Sequence, residues 1–155
     1  MYPGGKLQVN FENDDEVGFF SPALEPLNTW SAHRVEIWGQ AYPTAEHAYH
    51  SRKYDGDPEI QRRVLAAGSP WAAMRVDRAH KEKRRADWEE VKVGFMRELL
   101  EAKLAQHEDV RERLASMGDK RIVETSPVNS FWGWGPDRTG KNMIGELWME
   151  LRAKL

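Results

Sequence analysis

The chain has no cysteine among its 155 residues. That excludes disulfides, thiolate nucleophiles and zinc–thiolate centres, and it suits a reducing compartment, so the cytoplasm is the expected location. No apolar run reaches the length of a membrane-spanning helix, and no membrane partner is expected. The opening stretch MYPGGKLQVNFENDDE is acidic and lacks the apolar core of a signal peptide. Internal repeats and low-complexity linkers are missing, and only Pro3 to Gly5 reads as a loose segment. Neither sign of charge dominates. A formal net charge of −2, with both signs interspersed, argues against non-specific coating of nucleic acid but leaves room for a local basic pocket for a phosphate or pyrophosphate. The HExxH metal motif and the GxxxxGK[ST] phosphate loop are both absent, so no metal is expected, and the chemistry that the stretches below can carry needs no cofactor.

What is present fits one soluble globular domain spanning 1–155, with 1–18 as a peripheral N-terminal segment. Leu7 to Phe11 alternates weakly, Gly18 to Pro22 ends in a turn, and Arg34 to Trp38 alternates like a half-buried strand, with Gly39-Gln40 as a hairpin turn. Helices then dominate. Thr44 caps one to about Tyr54, Asp57-Pro58 starts another that closes at Gly68, and Ser69-Pro70 starts a short one through Met74. Asp87 caps the longest helix, whose apolar stripe is Trp88, Val91, Phe95, Leu99 and Ala102. Asp109 to Met117 is a short helix ended by Gly118, and Arg121 to Thr125 is a strand. A Gly/Pro/Trp-rich loop follows over 126–140, then a final helix with Ile144, Leu147, Trp148, Leu151 and Leu155 on one face. There is no βαβ alternation, which argues against a Rossmann-type or macro-type sheet. The expected class is mainly α with a small antiparallel β part, an α+β domain.

Three stretches can carry chemistry. In YPTAEHAYHSRKY, helical spacing puts Glu46, Tyr49, His50 and Lys53 on one face, with Glu46 and Lys53 about 10 Å apart along the axis. Glu46 lies in the first turn, where the helix dipole favours its carboxylate. An acid and an amine on one face can serve base chemistry, or imine chemistry at a sugar carbon. The alternative is a solvated Glu/Lys pair. His47 and His50 match no familiar zinc spacing. The second stretch, AHKEKRRADW, is either a solvated basic run or a source of phosphate contacts, since guanidinium forks match phosphate oxygens. Trp88 in it either packs in the core or stacks a base. In the third, SPVNSFWGWG followed by GKN, glycines and tryptophans suit a ligand wall, or a surface loop pinned by buried indoles. The seven tryptophans exceed ordinary usage, so some can line a pocket.

Taken in order, these stretches resemble the YbiA-like, or NADAR, family. The match rests on YPTAEHAY with Lys53 following and the Arg/Lys run into ADW. It continues through Lys103 to Gln106, Gly118-Asp119 with Ile122 to Glu124, SPVNSFWGWG, GKNMIGE and LWMELR, and so spans roughly Phe19 to Leu155. The resemblance implies a mainly helical domain with N-glycosidase activity on ribosyl-phosphate or ADP-ribose compounds. Its two implied substrate types are phosphorylated intermediates of riboflavin synthesis, and ADP-ribose on guanine in nucleic acid such as ADP-ribosylated DNA. Glu46 and Lys53 fall on the family's polar helix as the leading catalytic candidates. Trp88, Trp132 and Asn142 fall on its ligand-cleft positions, and Tyr49, Arg84, Asn129 and Gly133 complete the expected substrate contacts. Asn129 stands where family members often have Asp, which puts acid/base duty there in doubt. Leu104 replaces a usual Phe. The competing function is a non-catalytic ADP-ribose or NAD-binding module.

Overall fold

The computed structural model of the chain describes residues 10–20 and 25–155; the expectations for Pro3 to Gly5, and for parts of Leu7 to Phe11 and Gly18 to Pro22, lie outside them. In chain order the elements are β1 (Phe11–Glu12), β2 (Glu16–Phe19), β3 (Val35–Ile37), β4 (Gln40–Tyr42), α1 (Ala45–Arg52), α2 (Pro58–Ala66), α3 (Pro70–Ala79), α4 (Trp88–Gln106), α5 (Glu108–Ser116), β5 (Arg121–Glu124) and α6 (Met143–Arg152). The chain divides into two compact units, one of residues 29–108 and one of 1–28 with 109–155. Among the described residues, no helix is long and apolar enough to cross a membrane.

In the discontinuous unit, β2 pairs with β1 antiparallel and with β5 parallel, placing Val17 beside Ile122. The parallel pair departs from the expected antiparallel β part. Strands a hundred residues apart leave no turn signal between them, so only tertiary pairing reveals the direction. Residues 10–18, expected to be peripheral, supply two strands of this sheet, and Val17 is fully buried. The helix α6 packs on β5, with Ile144, Leu147, Trp148 and Leu151 buried, and the Trp148 indole N–H donates to Leu27 O at 3.0 Å. Leu155 does not join that face: it lies beyond α6 and is 61% exposed. Gly118 follows α5 at φ +60°, the left-handed conformation that ends helices at little cost to glycine.

The unit of residues 29–108 is built from the β3–β4 hairpin and four helices. The hairpin turns at Trp38 (φ 53°) and Gly39 (φ 76°), one residue earlier than expected. Positive φ at both positions is the two-residue turn whose twist suits a hairpin. Thr44, Asp57 and Ser69 each accept a backbone N–H three residues on, as their cap positions predict. Tyr54, Ile60, Val64 and Ala73 form one core cluster at α2 and α3.

Two further expectations, both for helices, fail in whole or in part in this unit. The helix after Ser69-Pro70 runs to Ala79 rather than stopping near Met74. Its inward face continues through Asp77, whose burial no hydrophobic pattern anticipates. Asp87 stands at the N-cap position of α4, as expected, but makes no side-chain cap bond; its carboxylate instead faces Arg85, with Nε to Oδ1 at 2.6 Å. The buried face of α4 is Trp88, Met96, Leu99, Leu100, Lys103 and Leu104, while Val91, Phe95 and Ala102 are only partly covered. Lys103 can sit in that face because its ammonium donates to Ser31 Oγ at 2.7 Å.

Candidate active site

The helix α1 is polar in sequence yet buried from Ala45 to Ser51, all but its last residue. Burying polar side chains costs several kcal/mol unless each finds a partner, so the partners define the site. The alternative of a solvated Glu/Lys face is excluded. Glu46 sits in the first turn, where its Oε2 accepts from Thr29 Oγ1 at 2.8 Å and its Oε1 lies 3.0 Å from His50 Nε2. The other ring nitrogen of His50, Nδ1, lies 3.1 Å from Lys53 Nζ. Lys53 follows α1 directly and donates to Asp77 Oδ2 at 2.8 Å. Asp77 comes from α3, accepts from Tyr54 OH at 2.6 Å on Oδ1, and is gripped by both Nε and Nη2 of Arg84. One chain of contacts therefore runs from Thr29 through Glu46, His50 and Lys53 to Asp77, Tyr54 and Arg84, all within the unit of residues 29–108.

The electrostatics follow from that chain. Burial pushes the Glu46 carboxyl up, but His50, the Thr29 hydroxyl and Lys53 outweigh it and hold the group below its ordinary value. Glu46 is thus a carboxylate at neutral pH. For Lys53, burial drives the ammonium down further than Asp77 raises it, so the free amine is more accessible than in solution. Burial lowers His50, yet Asp77 and Glu46 on either side raise it further, leaving it above its ordinary value. Burial raises Asp77, but His50, Arg84 and Lys53 together carry it well below the usual carboxylate range. Tyr54 is pushed far up by burial and by Asp77, so it stays a donor. Glu46 keeps 11% of its side chain exposed against 5% for Lys53, and Arg84 keeps 27%.

Aromatic rings wall the amine. Lys53 Nζ lies 4.8 Å from the Tyr49 ring centroid and 5.6 Å from that of Trp88, and those two rings meet edge-on. Trp88 stacks on Phe95 and is buried, so in this structure it packs rather than presenting an open face. The basic run is not solvated at its end: Arg84 is held by Asp77, and Arg85 by Asp87 and Asp55. Both ring nitrogens of His47 are engaged, by Thr44 Oγ1 and the Ala67 carbonyl, so it serves the helix start.

Asn129, Trp132, Gly133 and Asn142 belong to the other unit. Asn129 Oδ1 accepts from the backbone of Phe131 at 3.0 Å and Trp132 at 2.8 Å. An amide oxygen performs that task as a carboxylate would, so Asn in place of Asp keeps the loop. Asn142, buried and left-handed at φ 51°, spends both ends of its amide on β5, accepting from Glu124 N and donating to Ile122 O. Trp132 is half-buried and meets Phe131 edge-on. Gly133 permits close approach to the protein's own strand: a Cβ there would meet Glu124 Oε2 at 2.7 Å and its carbonyl O at 2.8 Å. Gly133→Ala is therefore expected to destabilise the fold by about 1–3 kcal/mol in a urea titration, and unchanged stability would refute the tight contact.

Sequence reasoning missed Asp77, Tyr54 and the bridging place of His50. A lone acid inside PWAAMRVDRA was the available signal for Asp77. Asp77→Asn leaves Lys53 and Arg84 facing a neutral amide, and urea unfolding is expected to show a loss of roughly 3–5 kcal/mol. The pH sign follows from the lowered pKa. Asp77's contribution is complete above the unfolded value of about 3.9 and is lost as pH falls toward the lower folded value. The variant's acid unfolding curve is therefore flatter in that window than the parent's, and identical curves would contradict the role.

The chain as a whole has relatives among known proteins. The model of the NADAR domain matches residues 10–155. An N-glycosidase of Nostoc punctiforme is 35% identical over 131 residues, covering 83% of this chain and 84% of that one. N-glycosidase YbiA of Escherichia coli is 32% identical over 148 residues, 95% of this chain and 88% of its own. The NMR structure of E. coli YbiA superposes with a TM-score of 0.81 at 29% identity, covering 95% of this chain and 88% of that one. A riboflavin biosynthesis protein of Vibrio vulnificus is 30% identical over 94% of this chain, which spans 37% of its length.

Proposed function

The chain belongs to the NADAR domain family, and on that premise we propose that it hydrolyses the N-glycosidic bond of a ribosyl-phosphate compound. The substrate is a phosphorylated intermediate of riboflavin synthesis or ADP-ribose attached to a guanine base of nucleic acid. The relatives named N-glycosidases and the riboflavin biosynthesis protein support this reading. One observation carries it: a buried carboxylate and a buried amine, Glu46 and Lys53, lie at 3.0 and 3.1 Å from the two nitrogens of one imidazole. A module that only held ADP-ribose would have no use for such a pair, whose burial is costly.

Cleavage of the bond builds positive charge at the anomeric carbon, and the ionised, slightly exposed Glu46 answers that charge or takes a proton from attacking water. The lowered pKa of Lys53 supports a covalent route over the same pair. The lone pair on Nζ attacks the anomeric carbon as its bond to the base breaks, and the base leaves with a proton. Loss of a proton from Nζ and opening of the sugar ring give an imine, which water hydrolyses to free ribose phosphate and regenerated amine. Within the unit of residues 29–108, Tyr49, Arg84 and Trp88 are the proposed substrate contacts beside Glu46 and Lys53; in the other unit, taken by itself, Trp132 is the proposed ring for stacking a base, while Asn129, Gly133 and Asn142 hold its loop and β5. Trp132→Ala is expected to weaken binding by about 1–3 kcal/mol in calorimetry; unchanged affinity leaves Trp132 with the loop alone. Incubation with ribosyl phosphates and ADP-ribosylated oligonucleotides, read by mass spectrometry, identifies the substrate by the free base released. If no compound in the panel is cleaved, the reading fails.

A further inference from the structure

A second feature of the unit of residues 29–108 stands apart from the Glu46–Lys53 network. Between α2 and α3 lies a shallow cleft of about 340 Å³, lined by Arg63, Ala72, Arg75, Val76, Ala79 and His80. Arg63 and Arg75 are guanidinium cations and none of the six is acidic; the alanines and the valine make a small apolar floor. The His80 ring points its Nδ1 at the Val76 carbonyl, 2.8 Å away, so Nδ1 carries the proton there. Trp71 stands beside the cleft, linked to it by Arg75, whose guanidinium lies 4.7 Å from the indole centroid. Trp71 is 54% exposed. An exposed indole with no core to fill is unusual in a chain whose Trp88 and Trp148 are buried.

The surroundings extend the charge. From Arg62 to Arg85 the basic residues are Arg62, Arg63, Arg75, Arg78, Lys81, Lys83, Arg84 and Arg85, against the two acids Asp77 and Glu82. Asp77 is buried and spent inward on Lys53 and Arg84, so it does not neutralise the outer face. Glu59, on α2, pairs with Arg62 and with Arg63 Nε at 3.3 Å, but those side chains are half or more exposed, where such pairs hold little energy and exchange readily. Arg63, Arg75, Arg78, Lys81 and Lys83 are all exposed.

We propose that this α2–α3 face binds single-stranded nucleic acid, with Arg63 and Arg75 on backbone phosphates and Trp71 stacking an unpaired base. Phosphate oxygens match the guanidinium forks, and a flat exposed indole flanked by arginine is a platform that accepts any base. A duplex offers no unstacked base to that indole, which favours the single strand. This site is independent of the N-glycosidase reading, and if that reading holds it would favour a nucleic-acid substrate over a free nucleotide.

The test is fluorescence anisotropy with a labelled mixed-sequence single-stranded oligonucleotide over a range of salt concentrations, using the full chain. Parent protein should bind at low salt and lose affinity linearly in log salt. Trp71→Ala should weaken binding at least about fivefold with the salt slope unchanged. Arg75→Gln should weaken binding and also reduce the slope by about 0.7, one phosphate contact on a single strand. Both positions are exposed, so folding is preserved, and release of base from a small ribosyl phosphate by either variant should match the parent. No binding at low salt overturns the proposal, as does binding that neither variant alters. Binding of an acidic peptide in place of the oligonucleotide, with Trp71 immaterial, also overturns it and makes the face a protein contact. Loss of base release in the parent, with oligonucleotide binding intact, sinks only the glycosidase reading.

Discussion

Lys53→Arg is expected to reduce turnover by on the order of 10³-fold or more while phosphate affinity survives. Arginine keeps the positive charge and can still pair with Asp77, so the buried carboxylate is not stranded. It removes the one property the covalent route requires, because a guanidinium does not give up its proton in a protein. Burial already holds the Lys53 ammonium below its ordinary pKa. The amine form gains as pH rises through that lowered value, so kcat/KM of the parent should climb with pH there rather than fall. Borohydride added during turnover should fix the sugar to Lys53 as a reduced adduct of defined mass. Full activity in Lys53→Arg together with no adduct would reduce Lys53 to an electrostatic partner of Asp77.

Glu46→Gln is expected to lower turnover by roughly two to four powers of ten. Glutamine keeps the shape, and its carbonyl can still accept from Thr29. In the proposed mechanism the negative charge that answers the anomeric carbon disappears, and with it the partner that, alongside Asp77, holds His50 above its ordinary pKa. Ground-state binding should change far less than kcat, since the charge Glu46 answers develops only on the way to the transition state. A loss confined to KM would assign Glu46 to binding.

Much of this site was legible in the residues. The spacing of Glu46, Tyr49, His50 and Lys53 sets them on one helix face, and Thr44 starts that helix where its cap bond to His47 N is found. Capping chemistry is local, so Asp57 and Ser69 were readable in the same way. The face itself was misread in one alternative as solvated, because polarity in sequence ordinarily means exposure. Nothing local says that Asp77, more than twenty residues on, returns to bury with Lys53. The parallel pairing of β2 with β5 was hidden for the same reason. Asp87 shows the converse: a sound local signal for a cap, overridden by the nearer guanidinium of Arg85.

Catalysis by the Glu46–His50–Lys53 arrangement is measured most directly as release of free base. Parent protein and the double variant Glu46→Gln/Lys53→Arg would be incubated with the same ribosyl phosphates and ADP-ribosylated oligonucleotides, with products followed by mass spectrometry. The parent is predicted to release free base and ribose phosphate or ADP-ribose from at least one compound, and the double variant to release none while retaining measurable affinity for it. A parent that binds these compounds and returns them all intact, or a double variant as active as the parent, would contradict the account.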